Sequence, residues 1–454
     1  MSEIKVNKIS PRSGTTVTLG DSGDTIALAT GASQTGFGRT GSVNWQTTPK
    51  TSTFTAADGE GYFINSGSAI TVNLPAGSAG AIVAVSDYAR NFATYNLTVS
   101  PNGSEKIGGQ VANATLNIDG QAATFVYVDS TKGWINVQNA EDTETGQAFI
   151  SATGGTVTTV CTNFKLHTFT GPGTFCVSAG AGPIATADYL VVAGGAGGGG
   201  TGSGNDSGGG GGAGGFRMSN TTCMPAPQTS PLAATSALPF TIGAYPVTVG
   251  GGGAGSTQPS VAKGTNGSQS ILSTITSAGG GGGGYASGPV RPGADGGSGG
   301  GGGGSAALVC GGAGNTPSVS PSQGSPGGTG GGSPLNYYGG GGGGAGEAGQ
   351  QGQSPNTGGP GGSGSFVVQT GFGGCNGTTG PVSGARYFAG GGAGGGTPGR
   401  PITGGGTGGD GGGGGGRAPN PGGETNTGGG GGGGDSSAGR AGGSGIVLIR
   451  YKFQ

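Results

Sequence analysis

The sequence predicts an all-β protein made of two unlike parts. Three observations carry this. The first third contains short apolar runs of four to six residues separated by Gly, Asn, Asp and Ser. No helical period runs through them. Glycine then rises from 18 in the first 150 residues to 105 in the remaining 304, about one residue in three against an ordinary usage of roughly 7%. A collagen triple helix is excluded, because runs such as 279–284 ignore the obligatory three-residue period. A net charge of −1 leaves no electrostatic footprint for nucleic acid or an anionic bilayer. No stretch has the length of a membrane-spanning helix, and the first residues lack the apolar core of a signal peptide. The expectation is synthesis in a cytoplasm, with no membrane insertion.

Residues 1–43 form the first expected unit. Thr16-Val17-Thr18-Leu19 followed by Gly-Asp-Ser-Gly-Asp is echoed nine residues later by Thr25-Ile26-Ala27-Leu28. Each unit is a short alternating strand closed by turn residues. Two apolar side chains hold no core alone, so neighbours must supply it. A short trimeric β-fibre or attachment segment fits, with a flexible arm as the plain alternative.

Residues 44–140 predict a small antiparallel β-sandwich. Ile70, Val72 and Leu74 alternate with polar residues, and Ile82-Val83, Leu97-Val99, Leu116-Ile118, Phe125-Val128 and Trp134-Val137 follow at regular intervals. Residues 141–187 read as a linker and β connector, with strand-like runs at 156–160, 164–169 and 174–177. The glycine-rich domain then spans 188–454. It opens on Asp188-Tyr-Leu-Val-Val-Ala193 and closes on Ile446-Val-Leu-Ile-Arg-Tyr-Lys-Phe453, both strand-like.

Glycine loses the most backbone freedom on ordering, so a flexible linker is the default for such a composition. Three features oppose it here. The tracts are nearly pure glycine and alanine, apolar strands pin both ends, and many tracts of similar length would be redundant in a linker. The ordered alternative is the polyglycine II helix, three residues per turn and about 3.1 Å per residue, whose outward amides and carbonyls bond neighbouring helices. A helix surrounded by others needs glycine on every face; one at the rim has room for other residues at outward positions. Stacked helices of this kind, bordered by β-strands, complete the predicted fold.

The residues give little support for catalysis or cofactors. Gly195 to Gly200 match G-x-G-x-x-G, but the following Thr-Gly-Ser-Gly-Asn-Asp cannot begin the helix that a dinucleotide site needs. After residue 150 the acids Asp188, Asp206, Asp295, Glu347, Asp410, Glu424 and Asp435 stand singly, unlike the paired carboxylates of a glycosidase. His167 reads as structural. The five cysteines (161, 176, 223, 310 and 375) lack zinc spacing, are odd in number, and are expected to be buried thiols. No catalytic residue, metal ligand or cofactor is assigned.

Two resemblances follow from particular motifs. Lys5-Val6-Asn7-Lys8-Ile9, the Thr-Val-Thr-Leu-Gly-Asp-Ser-Gly-Asp unit and Tyr127-Val-Asp-Ser-Thr-Lys-Gly-Trp134 resemble bacteriophage tail fibres, notably those of marine phages. Tyr189-Leu-Val-Val-Ala-Gly-Gly, Val247-Thr-Val-Gly-Gly-Gly-Gly-Ala-Gly-Ser256 and the closing Gly-Gly-Ser-Gly-Ile-Val-Leu-Ile-Arg-Tyr451 resemble the glycine-rich domains of phage tail-tip adhesins. The resemblance implies a homotrimeric virion protein, joined to other phage tail or virion proteins by its N-terminal segment. Its loops would bind a bacterial surface glycan or outer-membrane protein. A virion decoration or head fibre is the alternative, and a polysaccharide-cleaving fibre a third.

Candidate receptor-binding residues lie on inserts flanked by glycine: Tyr285, Arg291, Tyr337, Tyr338, Phe372, Arg386, Tyr387, Phe388 and Arg400. Aromatic rings stack on sugar faces, and arginine forks hold carboxylate or phosphate. The plain alternative is that these rings pack over an edge of the domain or into a trimer seam. Residues 337, 338, 387 and 388 lead the set, because paired aromatics on short loops are hard to bury completely.

Overall fold

The computed structural model describes residues 13–14, 43–138, 148–181, 184–201, 206–219, 230–257, 262–286, 292–333, 336–353, 357–396, 406–416, 422–435 and 437–453. The expected β-repeat at 16–33 lies outside them.

Nine strands form the first unit: β1 (Asn44–Lys50), β2 (Phe54–Thr55), β3 (Glu60–Ile64), β4 (Ile70–Asn73), β5 (Ile82–Asp87), β6 (Leu97–Ser100), β7 (Ala114–Leu116), β8 (Ala122–Asp129) and β9 (Gly133–Asn136). They make two sheets, in the orders β1-β3-β5-β8-β9 and β2-β4-β6-β7. The expected sandwich is therefore present, but its pairing is mixed rather than antiparallel. β1, β3 and β5 run parallel in one sheet, and β2, β4 and β6 run parallel in the other. The chain alternates between the sheets, winding as a flattened solenoid, until β7 to β9 reverse it into antiparallel pairs. Alternating side chains satisfy either winding, so the strand pattern alone did not distinguish them. Val72, Leu74, Val83, Val85, Leu97, Leu116, Phe125 and Trp134 fill the space between the sheets.

Five of the next strands, β10 (Ala148–Thr153), β11 (Thr156–Val160), β12 (Phe164–Phe169), β13 (Gly173–Ala181) and β14 (Thr186–Val192), begin a second assembly. Its other members are β15 (Phe216–Ser219), β16 (Ala233–Ala234), β17 (Leu238–Pro239), β18 (Gly243–Thr248), β19 (Ser270–Leu272) and β20 (Ile275–Ser277). Two short hairpins add β21 (Gly331–Ser333) with β22 (Asn336–Tyr338), and β23 (Ser365–Val368) with β24 (Ala385–Phe388). The last strand is β25 (Ile446–Lys452), which lies between β12 and β14 and is antiparallel to both. Its continuous apolar run is explained by burial on two sides. Val447, Ile449 and Tyr451 join a cluster with Phe175, Tyr189 and Phe240, whereas Ile446 and Leu448 join Leu190, Phe216, Val367 and Phe388.

The glycine tracts continue from these strands as polyglycine II rods. The N–H groups of residues 193–200 donate in rotation to three neighbours. Ala193, Ala196 and Gly199 donate to the carbonyls of Gly215, Gly212 and Gly209; Gly194, Gly197 and Gly200 to those of Ser268, Thr265 and Ala262; Gly195 and Gly198 to those of Gly443 and Arg440, at 2.8–3.3 Å. Each acceptor steps back by three as the donor advances by three, which is the signature of a threefold helix beside antiparallel partners. The carbonyls of the same rod accept from three further segments. Gly194 and Gly197 accept from Gly280 and Gly283, Gly195 and Gly198 from Gly253 and Ser256, Ala196 and Gly199 from Gly431 and Gly434. Here both numbers rise together, so these neighbours are parallel.

The rod at 208–215 lies at the centre of a hexagonal bundle. Its backbone bonds reach rods at 193–200, 278–284, 297–304, 339–346, 389–395 and 428–434. Those six also bond one another in a closed ring, through Gly280 to Gly194, Gly281 to Ser298, Gly340 to Gly302, Gly339 to Gly395, Gly430 to Gly390 and Gly431 to Ala196. Glycine is required there by close approach. A Cβ on Gly210 would fall deep inside the van der Waals envelope of the Gly392 carbonyl. A rim rod relaxes the demand. In Lys263-Gly264-Thr265-Asn266-Gly267-Ser268 glycine recurs only at every third place, facing the carbonyls of Gly197 and Gly194, while Lys263 is exposed and Asn266 Oδ1 accepts the Gly282 N–H at 2.8 Å.

Candidate functional site

The direction of the rods gives the bundle two different ends. β14, β18, β20 and β24 lead into rods, and other rods lead into β15, β19, β23 and β25, so sheets occupy one end. At the opposite, distal end stand Thr201, Ser207, Tyr285, Gly304, Val309, Gly330, Tyr337, Gln353 and Asp435, tied across the rod ends. Thr201 bridges to Ala286, Ser207 to Asp435, Val309 to Gly330 and Gln353 to Thr357. Gly304 N–H donates to the Ser207 carbonyl at 2.7 Å, and Ser207 Oγ donates to the Tyr337 carbonyl at 2.9 Å.

This geometry divides the expected binding residues. Tyr285, Tyr337 and Tyr338 lie at the distal end and are half-buried. Tyr337 and Tyr338 belong to β22 of a two-stranded ribbon, not to an open loop. The Tyr338 ring lies against Gly352, where a Cβ would overlap it, and near Leu308 across Gly331. Leu308 is 66% exposed and extends this apolar ledge. Sequence reasoning missed Leu308, whose only signal is an aliphatic residue between glycine tracts. Lys263 is also exposed near this end.

Phe372, Arg386, Tyr387 and Phe388 occupy the sheet end instead, and the expectation of exposed rings fails for them. β23 and β24 pair in register, Ser365 with Phe388 and Phe366 with Tyr387, and the hairpin folds onto the sheet containing β25. Phe372, Tyr387 and Phe388 are buried there, and Arg386 is half-buried. The Tyr387 ring lies tilted by 40° against Phe366 with centroids 5.2 Å apart, and its hydroxyl accepts the Val382 N–H at 3.3 Å. Burial pushes the Tyr387 phenol up from its ordinary range. Gly377 and Gly380 leave the room that the rings of Phe388 and Tyr387 fill. Arg291 and Arg400 lie outside the described residues.

A second feature invisible in the sequence is a buried ion pair between the first and last strands of the glycine-rich part. Arg450 Nη2 donates to Asp188 Oδ2 at 2.9 Å, and Ser219 Oγ donates to Asp188 Oδ1 at 3.2 Å. The guanidinium lies 4.7 Å from the Phe372 ring centre and 5.2 Å from that of Phe164. Its partners are 262 residues apart, and the arrangement is a clamp between strands.

His167 is buried in the same region. Its Nδ1 is 2.7 Å from the Gly154 carbonyl and its Nε2 3.1 Å from the Tyr451 hydroxyl. Desolvation lowers its pKa, against the opposing effect of the Gly154 carbonyl. The G-x-G-x-x-G segment is part of the first rod, where the N–H groups of 195–200 are all bonded to neighbouring carbonyls and none faces a phosphate. The described cysteines correct another expectation: Cys161, Cys176, Cys310 and Cys375 are exposed free thiols, and Cys223 lies outside the described residues. Among the described residues no three His, Cys, Asp or Glu side chains gather as metal ligands. No helix among them is long and apolar enough to cross a membrane.

No curated protein matches the sequence. Residues 168–452, from within β12 to the end of β25, match the glycine-rich domain family. That span covers the hydrogen-bonded rods and the strands β13 to β25, with β10 and β11 of the anchoring sheets lying before it, and the chain belongs to the glycine-rich domain family.

Proposed function

We propose that the chain is the subunit of a homotrimeric phage tail fibre whose glycine-rich bundle presents a host-binding surface. The observation that carries this reading is the polarity of the bundle. Strands close one end, and among the described residues the rods reaching the other end are held by backbone bonds to their neighbours. Such a body is stiff without a large side-chain core, so the described residues at its rod ends are displayed in fixed positions. Tyr338 and Leu308 form an apolar ledge suited to a sugar face or an apolar protein contact, and Tyr285 and Tyr337 stand at the same end. Several fibres on one particle would convert weak contacts into firm attachment. The N-terminal segment would join other tail proteins.

The test is adsorption of purified full-length chain to host cells. Tyr337→Ser with Tyr338→Ser is expected to reduce binding at least tenfold while circular dichroism stays unchanged. Undiminished binding by this folded variant would remove the distal ledge from the reading.

A further inference from the structure

β10 and β11 are the free margins of two different sheets. β11 ends the order β11-β12-β25-β14-β15-β16, β10 ends the order β10-β13-β18-β19-β20, and Gly154-Gly155 carries the chain from one to the other. Open strand margins are normally blunted by a charge, a proline or a bulge. β11 has none of these. It reads Thr-Val-Thr-Thr-Val, pairs with β12 in unbroken register, and leaves Thr156 to Thr159 exposed. Among the described residues its backbone bonds only to β12, so its outer amides and carbonyls are a template for one more strand.

A cleft opens beside this margin. Register puts Thr159, Lys165 and Tyr451 on one face of the sheet, with Val157, His167 and Ile449 in the next row. Ile449 and Tyr451 pack in the cluster that holds Ile150 of β10, so this face turns toward β10. Phe149, Val157, Lys165, Tyr451 and Phe453 line a cavity of about 240 Å³ between them. That is smaller than the ~300–1,000 Å³ of small-molecule pockets and suits one large apolar side chain. Val157, at the mouth, is 44% exposed. The Lys165 ammonium lies 4.6 Å from the Phe453 ring centre and donates to Thr159 Oγ1 at 2.7 Å; that of Lys452 lies 5.4 Å from the Phe149 ring centre. No Asp or Glu occurs in residues 148–181 or 437–453 to balance these two cations.

We propose that an extended acidic segment of a partner protein adds to β11 as a further strand, with an apolar side chain in the cleft and its carboxylates on Lys165 and Lys452. Three observations select this occupant. The open margin takes an extended backbone, the cavity volume takes a side chain rather than a free small molecule, and the unbalanced cations take acidic residues over basic ones. The site belongs to the sheet end of the bundle and is independent of what the distal end binds.

Fluorescence anisotropy with the full-length chain tests it. The probe is a labelled short threonine peptide carrying a central leucine and two glutamates on the same face; its counterpart has lysine in place of glutamate. The glutamate peptide is expected to bind saturably, at least tenfold more tightly than the lysine peptide, and to slow amide exchange of residues 156–160. Lys165→Met is expected to weaken it at least tenfold with the thermal transition retained. Lys165→Arg keeps the binding, and Lys106→Met in the solenoid leaves it unchanged. Should the methionine variant unfold, Val157→Asp decides the matter, because it sets a like charge at the mouth of the cleft, and the same tenfold loss is expected. Equal binding of the two peptides, binding of neither, an equal loss in Lys106→Met, or binding that leaves exchange at 156–160 unaltered would overturn the proposal. Cell adsorption is not read in this experiment, so failure of the adhesive reading leaves its outcome intact.

Discussion

The solenoid and the bundle fill their interiors with different material. Between the solenoid sheets the space is occupied by Val83, Leu97, Leu116, Phe125 and Trp134, and the transfer of their apolar surface from water is the driving force. Between the rods most contacts are backbone to backbone, carbonyls against α-carbons, with small buried side chains such as Ala196, Ala213 and Ala393 among them. Ordering a residue costs about 1–2 kcal/mol, and a hydrogen bond returns about 0.5–1.5 kcal/mol net. Rods alone are therefore close to balance. The apolar clusters on both faces of the β25 sheet supply the remaining stabilisation and hold the rod ends in register. A side-chain core tolerates changes of shape at some cost; the rod core tolerates no added atom at the positions where a Cβ would meet a neighbouring carbonyl, as at Gly210.

That contrast is broken most directly in the central rod. Gly210→Val places carbon atoms where the Gly392 and Ala393 backbone lies, and is expected to cost more than about 4 kcal/mol. Amide protection in the described rods should disappear, with the solenoid transition unchanged in calorimetry. In the opposite half, Phe125→Ala opens a cavity worth about 3–5 kcal/mol and should lower only the solenoid transition. Asp188→Ala strands the buried Arg450 guanidinium, and should destabilise the bundle and its sheets by about 3 kcal/mol in urea titration. On the rim, Gly251 has nothing within 4 Å of where its Cβ would be. Gly251→Ala is expected to stay within about 0.5 kcal/mol of wild type, which compared with Gly210→Val separates a crowded position from an open one of the same residue type.

The smallest expected effect is the pH dependence set by His167. Its folded pKa is lowered from 6.5 mainly by desolvation, so the unfolded chain binds the proton more readily. Stability is then full above about pH 6.5 and falls as pH drops below it toward the lowered folded value. Thermal melts between pH 7 and 5 should show this decline, and His167→Asn should remove its share of the slope.

Much of the fold was legible because glycine and apolar runs report on different constraints. Tracts at 208–215, 279–284 and 339–346 mark rods where every face is crowded, and Ile446 to Ile449 mark a strand buried on both sides. Rim rods were harder to read. Lys263 to Ser268 looks like an ordinary polar loop, because glycine is needed there only at 264 and 267. The winding of the solenoid was hidden because side-chain alternation is the same for parallel and antiparallel neighbours. At the candidate site, Tyr337 and Tyr338 could be found as aromatic inserts, but so could Tyr387 and Phe388. Only the pairing of β23 with β24 and the distant packing on Leu190 and Leu448 separate the buried pair from the distal one. Pairing of Asp188 with Arg450 depends on strands that meet from opposite ends of the domain, which no local pattern encodes.

Residue-resolved hydrogen exchange on the full-length chain tests the central claim, a core made of backbone, most directly. The account predicts slow exchange for the amides of 193–200 and 208–215, comparable with Leu190 and Leu448 in the adjoining strands. Exchange of those glycine amides at the rate of an unstructured peptide, with Leu190 and Leu448 still protected, would contradict it.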